Sequence, residues 1–432
     1  MNKGSKIVSV TARQISSERG YPAIETTVTT DNGAVGTAVA VAGTSTGEHE
    51  IKFAYDGGSK WYGKGVLKAV NNVRDLIAPA LVGEDASLQR RIDGIIMDLD
   101  GTPDKSRLGG NATASVSAAV LKAGSASLEI PLYRHIGGVN AYTLPVPGVH
   151  PIRGSTRYGG GQNSGGKPSY IIMCYGYDTF ADASYAGWEV MMAFQKIMRD
   201  RYNMSSEGTG MGATFRIQAG MVEHDRELWK LMLEAIKIAG HEGRMGLQVD
   251  SAASTYYDRK KKVYCGLFSA GDKTRDQMIE LYREMVEDYQ FMILEDPLDE
   301  NDYEGHAILT RELGIQIVGD DLFTTSMERL QHGISVGACN AMLLKVNQVG
   351  TISEAFDAVQ LAYLYNYGVM PCASRGEGDA IADYSVGLGA GTVILGALGS
   401  TGDRFIAIEE ELGSAARFLG KDGFKGSKNL AR

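Results

Sequence analysis

Four short apolar runs in the second half of the chain each end on a charged residue, and their spacing restricts the fold more than any other feature. GLQVD ends at Asp250, FMILED at Glu295 and Asp296, IQIVGDD at Asp320 and Asp321, and AMLLK at Lys345. Amphipathic stretches of helical period accompany them at 181–199, 225–239, 276–289 and 353–367. Strand-sized runs alternating with helices build parallel sheets from βα units. The intervals between the run ends, roughly 45, 25 and 25 residues, approximate one βα unit each, and the region from 141 onward suits a (β/α) barrel of roughly 250 residues. A doubly wound open sheet is the alternative.

The chain before residue 140 has a different texture. Residues 7–10 and 22–41 alternate apolar and small polar side chains, with Asp31-Asn32-Gly33 as a hairpin turn. Helical patterns follow at 65–76, 85–98 and 112–127, the last rich in Ala. Pro131 and Leu144-Pro145-Val146-Pro147 punctuate the chain, which divides into an N-terminal α+β domain, 1–140, and a barrel domain, 141–432. One segment fits neither texture: GSTRYGGGQNSGGKP, 154–168, is too irregular for a strand or helix and reads as a mobile lid, or else as a solvated excursion.

A net charge of −9 argues against nucleic acid or an anionic membrane surface as the main partner. Cys174, Cys265, Cys339 and Cys372 have no CxxC spacing and read as reduced thiols of a cytoplasmic protein. No apolar run reaches bilayer-spanning length.

The C-terminal strand ends of a parallel barrel meet at one face, where active sites form. Asp250, Glu295, Asp320 and Lys345 should converge there. Carboxylates crowded into a partly buried mouth stay ionised only when a cation neutralises them. Oxygen-only ligands select a hard ion, Mg²⁺ first. A lysine beside a dication is driven toward its neutral form, as a general base requires. Together these groups suit removal of a proton α to a metal-held carboxylate. The bland alternative is that the strand-end acids cap helices or pair with lysines.

Ordered motifs along nearly the whole chain then show a resemblance. They include Gly43-Thr44-Ser45-Thr46-Gly47, Leu99-Asp100-Gly101-Thr102, Glu295-Asp296-Pro297, Val318-Gly319-Asp320-Asp321-Leu322, Leu343-Leu344-Lys345-Val346-Asn347-Gln348 and Ile408-Glu409-Glu410-Glu411-Leu412-Gly413. The chain resembles the enolase family. The resemblance implies an α/β fold, an enolase-type ββαα(βα)₆ TIM-like barrel under an N-terminal α+β capping domain. It implies Asp250, Glu295 and Asp320 as ligands of a first Mg²⁺, Lys345 as the base, and Ser45 in a loop serving a second Mg²⁺. It further implies a homodimer or higher homo-oligomer acting on a small phosphorylated substrate.

Departures from the family pattern accompany it. Thr214-Phe215 stands where the family carries the Glu of its acid step, and Pro168-Ser169 replaces a Gln-Glu pair. Ala373-Ser374-Arg375-Gly376-Glu377 replaces His-Arg-Ser-Gly-Glu, and the lysine that grips the substrate carboxylate falls near Ile394. Losing a general acid costs about 10²–10⁴-fold in rate. On that basis the expected function is a specialised homologue that keeps enolpyruvate chemistry and has lost hydroxide expulsion. The model for it is carboxyphosphonoenolpyruvate synthase of phosphinate natural-product biosynthesis, which transfers a phosphonoformyl group from a CMP ester. Arg153, Arg157 and Lys167 would then close over the nucleotide, and Arg375 would reach a phosphate. The alternatives are a phosphopyruvate hydratase with Glu207 as the acid, and a non-catalytic scaffold.

Overall fold

The computed structural model describes residues 4–17, 20–43, 46–154, 156–205, 214–426 and 428–430. The N-terminal part is an antiparallel sheet in the order β1 (Ile7–Ser16), β2 (Pro22–Thr30), β3 (Val35–Ala40). The turn expected at 31–33 joins β2 to β3. There Asn32 Oδ1 accepts from Thr30 Oγ1 at 2.6 Å and from the Ala34 amide at 3.1 Å, the side-chain mimicry of a backbone turn that favours Asn.

Helices α1 (Gln89–Asp100) and α2 (Gly110–Ser127) follow. The Ala-rich α2 lies directly on the sheet because Gly36 has no side chain. A Cβ there would stand 2.1 Å from the Ala119 carbonyl oxygen, so helix and strand approach to backbone contact. The single helix expected over 65–76 is instead broken. An α-helical piece, Leu67–Asn72, widens into a π turn, Val73–Ile77, before Ala78–Leu81 resumes. Pro79 supplies the reason, since it has no N–H for the carbonyl one turn back and crowds it.

The second part begins with β4 (Val146–Arg153) and β5 (Ser169–Cys174), an antiparallel pair. Helices α3 (Phe180–Tyr202) and α4 (Arg226–Ile238) come next, then β6 (Met245–Asp250), antiparallel to β5. From β6 onward the strands of this sheet pair in parallel, each followed by a helix: α5 (Arg275–Asp288), β7 (Phe291–Glu295), α6 (Tyr303–Leu313), β8 (Gln316–Gly319), α7 (Met327–Val336), β9 (Ala341–Leu344), α8 (Ile352–Leu364), β10 (Gly368–Pro371), α9 (Ala380–Leu388), β11 (Thr392–Gly396) and α10 (Gly399–Leu412).

The strand order β10-β9-β8-β7-β6-β5-β4-β11 curls until a parallel bridge between Cys372 and Ile394 brings its ends together. The expected ββαα(βα)₆ arrangement is therefore the observed one. Val146, Ile171, Met173, Ile293, Val318 and Leu343 belong to the core that fills the strand ring, while a larger apolar shell lies between strands and helices.

The antiparallel opening has a direct effect on the site. Because β5 runs against its neighbours, its first residue, Ser169, sits opposite Asp250, the last residue of β6. The Gly-rich segment that enters β5 is thereby delivered to the barrel's C-terminal mouth along with the loops that leave the other strands.

Candidate active site

Glu295 and Asp250 are register partners at the ends of β7 and β6, and Asp320 follows β8 directly. Lys345, next after β9, donates to Asp320 Oδ2 at 2.5 Å. The four groups expected to meet at the mouth thus lie on four consecutive strands. Each is held from behind. Gln348 Nε2 donates to Asp320 Oδ1 at 2.8 Å, and Thr325 Oγ1 donates to Gln348 Oε1 at 2.8 Å while accepting the Lys345 amide at 3.1 Å. Gln248 Nε2 reaches Glu295 Oε2 at 3.3 Å, and the Ala252 amide reaches Asp250 Oδ1 at 3.1 Å. Such outer contacts fix ligand orientation.

Among the described residues, one trio of acidic side chains brings an oxygen of each within 4.8 Å of the others: Asp296, Asp320 and Asp321. Asp296 has a turn-building role. Its carboxylate accepts the amides of Asp320 and Asp321 at 3.0 and 2.8 Å, and its own backbone is left-handed, with φ 42°. It pins the turn from which Asp320 projects. Burial raises Asp296 well above the ordinary carboxylate range, reinforced by Asp321 and Asp320. Burial and the neighbouring Asp320 push Asp321 up to about 8.

Asp250, Glu295 and Asp320 surround two ammonium groups, those of Lys167 and Lys345. Lys167 pairs with Asp250. Burial lowers the pKa of Lys167 despite its acidic neighbours. Burial pushes Glu295 up to about 7 against the pull of Lys167. Its Oε1 is buried with no hydrogen-bond partner among the described residues. Burial would lower Lys345, but its pair with Asp320 outweighs that and leaves its pKa raised. Burial would raise Asp320, but Lys345 and Arg375 outweigh that and leave it lowered. An orphaned buried carboxylate oxygen, two further carboxylates at the same strand ends and an all-oxygen donor set fit a hard divalent cation.

The capping domain closes one side. Glu50 takes the Arg375 guanidinium in two bonds of 2.5 Å. His49 Nε2 meets Asn301 Oδ1 at 2.9 Å, and the Glu48 amide donates to Glu300 Oε2 at 2.9 Å. Ser45, expected nearby, lies outside the described residues.

Two expectations for the 154–168 segment need correction. Arg157 does not reach toward a substrate. Its guanidinium is buried on Asp225 (2.5 and 3.1 Å), with Tyr158 and Tyr170 hydroxyls also donating to that carboxylate. Nor do Gly160 and Gly161 serve motion. A Cβ at Gly160 would lie 1.7 Å from the Cys265 carbonyl oxygen, and one at Gly161 would lie 2.3 Å from Tyr256 Cζ. Glycine is required there by close packing against Tyr256 and a small sheet (Tyr257–Asp258, Val263–Cys265, Asp272–Lys273) that no sequence pattern revealed.

Residues 7–136 match the family model described as "Enolase, N-terminal domain", and residues 141–427 match "Enolase, C-terminal TIM barrel domain". The chain belongs to the enolase family. Proteins named "Enolase" are similar to it from end to end. That of Methanocaldococcus jannaschii is 40% identical over 431 residues, covering 98% of this chain and 99% of the relative. That of Methanococcus maripaludis strain C7 is 41% identical over 432 residues, with the same coverage. That of Pyrococcus furiosus is 39% identical over 432 residues, covering 98% of each.

These relatives overturn the expectation of a carboxyphosphonoenolpyruvate synthase-like transferase acting on a CMP ester. That expectation rested on residues missing at a few positions, at 168–169, 214–215, 373–377 and 394. Similarity to proteins named "Enolase" extends over 98% of the chain. The acid-step comparison turned on Thr214-Phe215, which the structure places against β4, Thr214 Oγ1 donating to the His150 carbonyl oxygen at 3.0 Å and Phe215 pairing with Ile152; the alternative acid, Glu207, lies outside the described residues.

Proposed function

We propose that the chain is a cytoplasmic, Mg²⁺-dependent phosphopyruvate hydratase, interconverting 2-phosphoglycerate and phosphoenolpyruvate as a homodimer or higher homo-oligomer. The observation that carries this reading is the convergence of Asp250, Glu295, Asp320 and Lys345 at one barrel mouth, in a chain about 40% identical over its length to proteins named "Enolase". Asp250, Glu295 and Asp320 would hold the Mg²⁺. Bound there, the ion supplies positive charge against the substrate carboxylate, where charge builds as the C2 proton leaves.

Lys345 Nζ takes the C2 proton. It does so once Asp320 no longer holds it as an ammonium. The Gln348–Thr325 chain keeps its backbone and its acidic partner in register. Departure of the C3 hydroxyl as water needs a proton from a second group, and Glu207 is the candidate. Arg375, held by Glu50, places a guanidinium beside the acidic strand ends for an anionic substrate group. The contacts His49–Asn301 and Glu48–Glu300 keep the capping domain over the mouth and limit water.

The test is ³¹P and ¹H NMR of 2-phosphoglycerate with the protein and Mg²⁺ in D₂O. Accumulating phosphoenolpyruvate supports the reading. A C2 proton that exchanges without elimination, or no reaction, refutes it.

A further inference from the structure

Lys167 stands two residues before Ser169, the register partner of Asp250. Its backbone is anchored on both sides. The Tyr256 hydroxyl donates to its carbonyl oxygen at 2.5 Å, and its amide donates to the Ser164 carbonyl oxygen at 3.3 Å. Tyr256 is buried, and the close approach of Gly160 and Gly161 seats the loop on Tyr256 and Cys265. From this fixed root a flexible four-carbon arm carries an ammonium onto Asp250. Glu295, Asp320, Lys345 and Cys372 also act on it. Its side chain is 20% exposed where that of Asp250 is 4% exposed, so the arm meets solvent while the carboxylate is sealed beneath it.

The geometry points to Lys167 as a built-in cation that competes with the divalent ion for the Asp250, Glu295 and Asp320 carboxylates. Metal entry then swings the Lys167 arm outward while its backbone stays on Tyr256. A single ammonium supplies one positive charge against three carboxylates, and a divalent ion supplies two with several coordination positions. The exchange therefore runs toward metal at sufficient concentration. Until then the arm spares the mouth the repulsion of uncompensated buried acids. Its cost is a weaker apparent metal affinity, reduced by the fraction of molecules in which the arm is in place.

This inference rests on the divalent site of the reading above, and its test does not use turnover. Calorimetric titration of the metal-free protein with Mg²⁺ is compared for wild type and Lys167→Met. Removing the ammonium should tighten binding by about tenfold, the factor for an arm in place in roughly nine molecules of ten. Equal or weaker binding by the variant overturns the proposal, as does absence of Mg²⁺ binding to wild type.

A second measurement needs no variant. Wild-type protein is labelled with an amine-reactive reagent, and Lys167 modification is followed by peptide mass spectrometry. Saturating Mg²⁺ should accelerate labelling several-fold at Lys167 and leave an exposed lysine such as Lys261 unchanged, and no acceleration overturns the proposal. A protein that meets both expectations but forms no phosphoenolpyruvate refutes the hydratase reading alone. One that makes phosphoenolpyruvate while its Mg²⁺ binding ignores Lys167 refutes this inference alone.

Discussion

Replacing Asp225 with Asn should destabilise the barrel out of proportion to the one atom changed. The Asp225 side chain is 0% exposed and that of Arg157 is 1% exposed. The carboxylate accepts Arg157 Nη2 at 2.5 Å, Arg157 Nε at 3.1 Å, Tyr158 Oη at 2.9 Å and Tyr170 Oη at 2.5 Å. An Asn keeps the shape but removes the charge. It also turns one acceptor into a donor facing groups that are themselves donors. Breaking a buried ion pair from one side costs about 3–5 kcal/mol. With an unfolding entropy of roughly 2 cal/mol/K per residue, and unfolding of the barrel alone or of the whole chain, that corresponds to a drop of roughly 3–9 °C in Tm. The double variant Asp225→Asn/Arg157→Met removes both charges, so it should recover part of the loss. Differential scanning calorimetry and urea unfolding of the four proteins of the cycle measure both effects. If Asp225→Asn lies within about 0.5 kcal/mol of wild type, or the double variant is as unstable as the sum of the singles, Arg157 is not held as argued.

Four further outcomes are expected. Gly160→Ala should destabilise by about 1–3 kcal/mol, because its Cβ would strike the Cys265 carbonyl, whereas Gly159→Ala meets open space and bears only the strain of its positive φ; urea midpoints rank the two. Burial, aided by Arg226, pushes His224 down to about 4. The unfolded chain therefore binds the extra proton first, and stability is lost as pH falls from about 6.5 toward 4. Unfolding at pH 7 and pH 5 should show that slope, with part of it removed in His224→Gln. Lys345→Ala should lower kcat by about 10²–10⁴-fold or more while an anionic substrate analogue still binds, and Glu207→Gln should abolish elimination but spare C2 proton exchange, both followed by NMR.

The strand-end half of the candidate site is legible in the sequence because a parallel strand buried on both faces is a continuous apolar run. The charged residue that ends such a run marks the mouth. Asp250, Glu295, Asp320 and Lys345 each carry that signature. Asp296 carries it too, yet its carboxylate is occupied by backbone amides, and only the left-handed turn after β7 reveals that. Strands of two and three residues between Tyr257 and Lys273 are too short to show a period, so the wall on which the Gly-rich loop packs stayed hidden. Without that wall, glycines required by close approach read as glycines for motion. Arg157 read as an anion ligand for the same reason, since its partner Asp225 is distant in sequence. The functional expectation failed where it weighed single missing side chains above a resemblance spread over the whole chain.

The reversed second strand also bears on how such a mouth can diversify. In an all-parallel barrel, every segment at the mouth must both leave one strand and steer the chain into a helix, so changing its chemistry risks the path of the fold. The 154–168 segment leaves β4 and re-enters at β5 within a single hairpin, its ends locked by the Arg153–Ser169 pairing. Its composition is free of any routing task. Positions of the segment that do not pack on Tyr256, Cys265 or Asp225 can change without moving a strand or a helix.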